Sequence, residues 1–259
     1  MYRTDPAEFD DAPRPVAAIG NEYPASFELA PHWHRRSQLL YAASGVVAVS
    51  TPQGSWVAPP ERAVWIPAGV SHAVRMVGAV TTRSVMVEPA LGAAIGATCR
   101  VIHVSPLLRA LLIAAVDAPL DYDEAGRDGQ VMALLMSELA QAPLVPLAVP
   151  FPSNRPMAEL CHRFLERPDA SATIDRWADA LAMNRRRFTR RFRGETGMSF
   201  AEWRQQACIS VALPRLAAGD AVTAIALDLG YESPAAFATM FKRVVGVAPS
   251  QYSRGPAGL

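Results

Sequence analysis

Residues 221–252 read AVTAIALDLGYESPAAFATMFKRVVGVAPSQY. Apolar residues recur at spacings of three and four up to Leu229, and Gly230-Tyr231 then makes a tight turn. Ser233 is placed to cap a second helix, which runs through Phe241-Lys242-Arg243 and stops at Gly246. A short helix, a tight turn and a second helix form a helix-turn-helix, a unit whose second helix can lie in a DNA major groove.

Residues 173–203, TIDRWADALAMNRRRFTRRFRGETGMSFAEW, repeat this grammar. Asn184 opens the second helix, Phe188 and Phe192 are spaced to face a core, and Gly194 is expected to stop it. Between the two units FAEWRQQACISVALPRLAAG reads as a long connecting helix. Pro214 falls deep inside it, which predicts a kink or an early end, because proline removes a backbone donor and clashes with the preceding turn. The helices are expected at 156–166, 173–182, 184–193, 199–216, 221–228 and 233–245.

Charge agrees with two parts of different character. From residue 153 onward there are 15 basic and 10 acidic side chains, net +5, and the first 152 residues hold 10 and 14, net −4, which sum to the overall +1. The basic half is the one suited to nucleic acid. Cys99, Cys161 and Cys208 are too few and too scattered for a disulfide framework or a zinc ribbon, and read as reduced thiols. The acidic, proline-containing start lacks the apolar stretch of a signal peptide, and no run is long enough to span a membrane. Both point to a cytoplasmic, nucleoid-associated protein.

The stretch 156–254 resembles the DNA-binding domain of the AraC/XylS family of bacterial transcription regulators, most specifically across ALDLGYESPAAFATMFKRVVGVAPSQY. The resemblance implies that one chain carries both units, entering adjacent major-groove segments. It aims Arg186, Thr189 and Arg190 at base edges; arginine suits guanine O6 and N7. Arg185, Arg187 and Arg191 are expected on phosphates. The matching positions of the second unit are Pro234, Ala235, Ala238 and Thr239, which offer methyl contacts and one hydroxyl. That unit is therefore expected to position the protein, through Ser233, Lys242 and the helix N-terminus near a phosphate. Relatives usually carry arginine where Cys208 stands.

Before residue 90 the pattern changes to short apolar runs broken by turn residues: QLLYAAS, GVVAVST, GSWVAPP, AVWIPAG, HAVRMVG and TTRSVMVEP. Strands this short and regular predict a sandwich or barrel. His32 and His34 differ by two, so on a strand they share a face with Gln38, and His72 follows the turn made by Pro67 and Gly69. Three imidazoles and an amide oxygen form a workable site for zinc, nickel, iron or copper. These stretches resemble the two cupin motifs, His-x-His with a later acid and glycine (His32, His34, Gln38, Gly45) and Pro-x-Gly-x-x-His (Pro67, Gly69, His72). The resemblance implies a small barrel with a ligand at its mouth. Glutamine in place of the usual glutamate is a weaker metal ligand, so an organic effector bound without metal stands as the alternative. Arg36, Tyr41, Trp56, Trp65 and Arg75 are expected to line or flank the pocket.

Residues 105–116 and 124–141 have helical spacing, with Leu107, Leu108, Leu111, Leu112 and Ala115 on one face and Val131, Leu134, Leu135, Glu138 and Leu139 on the other helix's face. The expected organisation is α+β and multidomain: a loose tail at 1–14, a cupin-like sensor barrel at 15–100, a helical dimerisation segment at 101–142, a proline-rich linker at 143–155 and an all-α double helix-turn-helix domain at 156–254. The leading expectation is a homodimeric transcription regulator, activator or repressor, with operator DNA, a small-molecule or metal effector and RNA polymerase as partners and no membrane. The other two are a cupin metalloenzyme of dioxygenase or isomerase type with a helical appendage, and a regulator whose barrel is only a dimerisation scaffold.

Overall fold

In the computed structural model, which describes residues 9–59 and 61–252, the apolar runs of the first half pair into a strongly bent antiparallel sheet. The order is β1 (Val16–Tyr23), β2 (Glu28–His32), β3 (Ser37–Thr51), β4 (Gly54–Ala58), β5 (Arg62–Ile66), β6 (His72–Val87), α1 (Pro89–Gly92), β7 (Arg100–His103), α2 (Pro106–Val116), α3 (Arg127–Gln141), β8 (Leu144–Val145), β9 (Ala148–Pro150), α4 (Arg155–Glu166), α5 (Ile174–Ala180), α6 (Arg185–Thr196), α7 (Phe200–Ala217), α8 (Val222–Asp228) and α9 (Pro234–Val245). Two compact units result: 1–51 with 56–145, and 52–55 with 146–259.

In the first unit the strands run β1-β6-β3-β5-β7-β8, with β2 added on β6 and β4 on β3. Four of the expected short strands are two long ones. QLLYAAS and GVVAVST are one strand, β3, and HAVRMVG and TTRSVMVEP are one strand, β6. Gly45 and Gly78 do not turn the chain back. They take φ of 72° and 73° where the β3–β6 register shifts, so the ladder bends and continues. At Gly45 a Cβ would stand 2.7 Å from the Ala79 oxygen, so the close approach of β6 also requires glycine there.

Strand parity separates two faces. Leu39, Tyr41, Ala63, Trp65, Val85 and Val87 pack with Leu108, Leu111, Leu112 and Ala115 of α2 and Met132, Leu135 and Leu139 of α3. Ser105 caps α2 by accepting from the Leu108 amide at 3.1 Å. Leu107 and Leu134 leave the expected buried stripes and are 47% and 45% exposed, because the stripes centre on Leu108/Leu112 and Leu135/Leu139. The opposite face carries Gln38, Leu40 and Ala42 beside Met86, Ser84 and Thr82, with Ile19 and Asn21 across from Ser84 and Thr82.

Three boundaries move. Residues 1–8 of the expected tail lie outside the described residues, but 9–14 is fastened. Phe9 and Ala12 are buried against Ala17, Ile19 and Met86, and the buried Arg36 guanidinium donates to the Asp10, Ala12 and Arg14 carbonyls at 3.3, 2.6 and 2.7 Å. Residues 101–103, expected on the helical side of a boundary, continue β7 because Arg100–His103 pairs with β5. The expected linker carries β8 and β9; its prolines leave enough free amides for short strands, and β8 pairs with β7. The end of the helical domain at 253–254 lies outside the described residues.

The second unit is helical around an aromatic cluster of Phe164, Trp177, Phe188, Phe192, Phe200 and Trp203, whose rings meet at 4.8–6.5 Å between centroids. Trp203 Nε1 donates to the Pro150 carbonyl at 2.8 Å. A smaller cluster joins Tyr231, Phe237, Phe241 and Tyr252. The connecting helix α7 neither ends nor breaks its assignment at Pro214; it continues to Ala217, with Pro214 buried, and the Ala218 amide reaches the Pro214 oxygen at 3.0 Å. Burial of both sides of the proline supports the turn that its missing amide weakens. Gly194 does not stop α6. The stop is Gly197, in the left-handed conformation at φ 75°.

Candidate ligand centre and nucleic-acid interface

His32 ends β2 directly opposite His72, the first residue of β6. His34 follows in the connection to β3, and its carbonyl accepts from the Gly69 amide at 2.9 Å, which ties that connection to the Pro67–His72 turn. Gly69 takes φ 75° to make the turn. The three imidazoles thus converge from two stretches about 40 residues apart: ring centroids lie 4.3–5.3 Å apart and the possible ligand nitrogens all within 4.8 Å of one another.

The orientation of two rings is fixed from behind. His32 Nδ1 faces the Ala30 carbonyl at 2.7 Å and His72 Nδ1 the Val70 carbonyl at 2.9 Å. A carbonyl only accepts, so each Nδ1 carries the hydrogen and each Nε2 keeps its lone pair, the arrangement in which a backbone carbonyl orients a histidine that ligates a metal. His72 Nε2 is buried without a hydrogen-bond partner among the described residues. Burial first, and the neighbouring His32 and His34 after it, lower the His72 pKa to about 4 against the Val70 contact that raises it. A neutral imidazole with an unused, buried lone pair fits a metal. Nitrogens around one zinc stand roughly 3.3 Å apart for bonds of about 2.0–2.1 Å, so a modest tightening of the cluster would complete the set.

Gln38 lies on the buried inner face. Its Nε2 donates to Ser84 Oγ at 3.4 Å, and its Oε1 has no partner among the described residues. Of the expected pocket-lining residues, Tyr41 and Trp65 sit on the opposite, helix-covered face, as their odd positions dictate, and Trp65 Nε1 donates to the Gly96 carbonyl. Arg36 is spent on the 10–14 segment, and Arg75 is exposed. Trp56 is buried, with its Nε1 unpartnered among the described residues.

In the second unit Asn184 accepts from the Arg187 amide at 2.8 Å and so starts α6. Phe188 and Phe192 face inward, leaving Arg186, Arg187, Thr189 and Arg190 exposed. Arg186, Arg187 and Arg190 have no ion-pair partner among the described residues. Arg185 pairs with Asp175 at 2.9 Å, and half-buried Arg191 with Glu195 at 2.7 Å. Glu195 also accepts from Ser153 Oγ and the Asn154 amide at 3.0 and 2.9 Å. Burial opposes ionisation there, yet Arg191 and these donors hold the Glu195 carboxyl below its ordinary pKa. Sequence spacing gave α6 its arginines but not this division between free and committed ones; the i,i+4 Arg191–Glu195 pair was the available signal.

In α9 the Ser233 hydroxyl accepts from the Ala236 amide at 3.2 Å, while Ala235, Thr239 and Lys242 are exposed. Gly230, at φ 75°, makes the turn before it, and a Cβ there would meet Asp169 Oδ1 at 2.8 Å. Cys208 is buried in α7 and hydrogen-bonds Tyr231; burial pushes its thiol up to about 12. No helix among the described residues is long and apolar enough to cross a membrane.

Residues 16–141 match the family described as the AraC-like ligand binding domain, and 177–255 a helix-turn-helix domain family. The chain is 32% identical over 221 residues to the HTH-type transcriptional regulator NimR of Escherichia coli K12, covering 85% of this chain and 81% of NimR. ToxT from Vibrio cholerae O395 is similar at 12% identity with a TM-score of 0.40, covering 95% of this chain and 99% of ToxT. The DNA-binding domain of AdpA, solved with a target DNA, is 31% identical with a TM-score of 0.36, covering 38% of this chain and 89% of that one. The chain belongs to the AraC family of transcription regulators, with an AraC-like ligand-binding domain ahead of its DNA-binding helices, and is not an enzyme.

Proposed function

We propose that the regulator senses its effector at His32, His34 and His72, with Gln38 as a further oxygen donor, and holds there a divalent transition metal, zinc, nickel, iron or copper. The observation that carries this reading is the convergence of the imidazoles with the His32 and His72 Nδ1 atoms turned onto carbonyls. A bound metal would supply a Lewis-acidic coordination site that an organic effector can join. The protein's own residues orient the rings and keep water from the buried His72 nitrogen. Elemental analysis of untagged, chelator-free protein tests it. Close to one equivalent of metal per chain, lost in a His32→Ala/His72→Ala variant, is expected. No metal in intact protein would leave the same polar interior as a metal-free organic-effector site.

Arg186 and Arg190 read bases, with Thr189 between them. Arg185, Arg187, Ser233 and Lys242 hold phosphates, Arg191 stays with Glu195, and Ala235 and Thr239 touch the groove through methyl groups. The exposed Leu107, Ile113 and Leu134 support dimerisation through α2 and α3. Effector binding shifts the population of DNA-competent dimers to the extent that its affinity differs between the two states. The site of action is the bacterial cytoplasm, where RNA polymerase is the further partner. The barrel as scaffold alone is separated by the same double variant: regulation unchanged by losing both histidines would favour it.

A further inference from the structure

A second cluster of chemically competent side chains lies where β5 and β7 meet the start of α2. Arg62 and His103 are cross-strand partners in the β5–β7 ladder, and Arg62 Nη1 stands 2.6 Å from His103 Nδ1. A guanidinium only donates, so Nδ1 accepts and the His103 Nε2 carries a hydrogen that remains available. His103 borders a cleft of about 490 Å3, whose other lining residues are Glu61, Val104, Pro106, Arg109, Ala110 and Ile113, with Arg62 behind His103. Arg109 is exposed and has no ion-pair partner among the described residues, and Arg62 is only 18% exposed. The opposing charge is Glu61, whose side chain is 71% exposed and 4.0 Å from Arg62.

The backbone at this point is held in a costly shape. Glu61 adopts φ 64°, a conformation that non-glycine residues rarely take. Its carbonyl accepts both the Val104 amide at 2.9 Å and Arg62 Nη1 at 2.8 Å, which fixes the guanidinium against His103. Such strain, held by surrounding bonds, gathers where a ligand is clamped. The remaining lining, Val104, Pro106, Ala110 and Ile113, is apolar. A guanidinium and an imidazole N–H beside aliphatic carbon match one chemical class.

We propose that this cleft binds a small organic monocarboxylate with an apolar body, its carboxylate taken by Arg109 and His103 Nε2, with Arg62 holding His103 in the tautomer that donates from Nε2. The volume lies in the range of small-molecule pockets, and carboxylate recognition by arginine is the strong, charge-assisted kind. The ligand would bridge β7 to α2, the helix whose exposed Ile113 lines the cleft, so occupancy would bear on that helix. This site does not depend on the histidine centre.

The test is calorimetric titration of the full chain with sodium octanoate and sodium benzoate, and with octanamide and benzamide as uncharged counterparts. Binding of at least one carboxylate, with its amide weaker by roughly tenfold or more, is expected. Arg109→Gln, a change at an exposed position, should cost a comparable factor while metal content stays at the wild-type value. Equal binding of acids and amides, undiminished binding by Arg109→Gln, or no binding of either acid at millimolar concentration would overturn the assignment. Inorganic phosphate bound in preference to both acids would overturn the ligand class.

Discussion

Single residues decide what α6 and the N-terminal segment do. Exposed Arg186 and Arg190 are free to reach base edges. Arg186→Gln or Arg190→Gln should each cost about 1–3 kcal/mol on a selected operator and relax preference at one base. Anisotropy titrations on single-base operator variants read this, and equal losses on operator and random DNA would mean phosphate contacts instead. Arg36 was legible in sequence only as a polar residue near the histidine motif. Its partners are backbone carbonyls 22–26 residues away, which carry no side-chain signature. Arg36→Met leaves three buried or half-buried carbonyls without their donor, so a loss of about 2–4 kcal/mol in urea unfolding is expected. The 9–14 segment should become accessible to proteolysis. The histidine set, by contrast, was readable from the His-x-His and Pro-x-Gly-x-x-His patterns, although His34 lies in the connection after β2 and not on one strand with His32 and Gln38. Tyr41 and Trp65 were misassigned to the pocket although parity with Gln38 already placed them on the other face.

Elements were most legible where caps and periodicity agree. Five of the six described α-helices of the second unit begin at Asn154, Thr173, Asn184, Ser199 and Ser233, each of which accepts a backbone hydrogen bond, and α8 alone starts without a side-chain cap. Strand lengths were less legible, since a glycine in positive φ can either end a strand or bulge it, and only the partner strand decides between the two. The same limit applied to Pro214. Local propensity predicts a break, but the buried faces of Leu213 and Leu216 keep the last turn of α7 in place. Pro214 leaves the Ser210 carbonyl without its helical donor, and Ser210 Oγ donates to the Ala207 carbonyl at 2.9 Å. Pro214→Ala should restore one helical hydrogen bond at the loss of some buried ring. A net gain of about 1–2 kcal/mol is expected, since an interior proline costs about 3 kcal/mol and the smaller side chain gives part of that back. Unchanged or lower stability by urea unfolding would show that the proline ring is itself a core element.

At the scale of the whole molecule, the charge division between the halves gives the DNA-binding part its long-range field. Its effect on binding depends on which cations are free. Arg187 and Lys242 are exposed without ion-pair partners among the described residues, Arg185 shares its charge with Asp175, and Arg191 is held by Glu195. Each phosphate neutralised contributes about −0.9 to the slope of log K against log salt, so Arg185, Arg187 and Lys242 on phosphates give a slope of about −3. Arg187→Gln should make that slope shallower by about 1 and weaken operator and random DNA alike. Arg191→Gln should behave differently. It removes the partner of a carboxylate that also fastens Ser153 and Asn154 at the start of α4, so its first effect is on stability, with little change in slope. A slope change of about 1 for Arg191→Gln at unchanged stability would mean that the Glu195 pair opens on DNA and that Arg191 is released to a phosphate. The division of α6 into free and committed arginines would then be a property of the unbound protein alone.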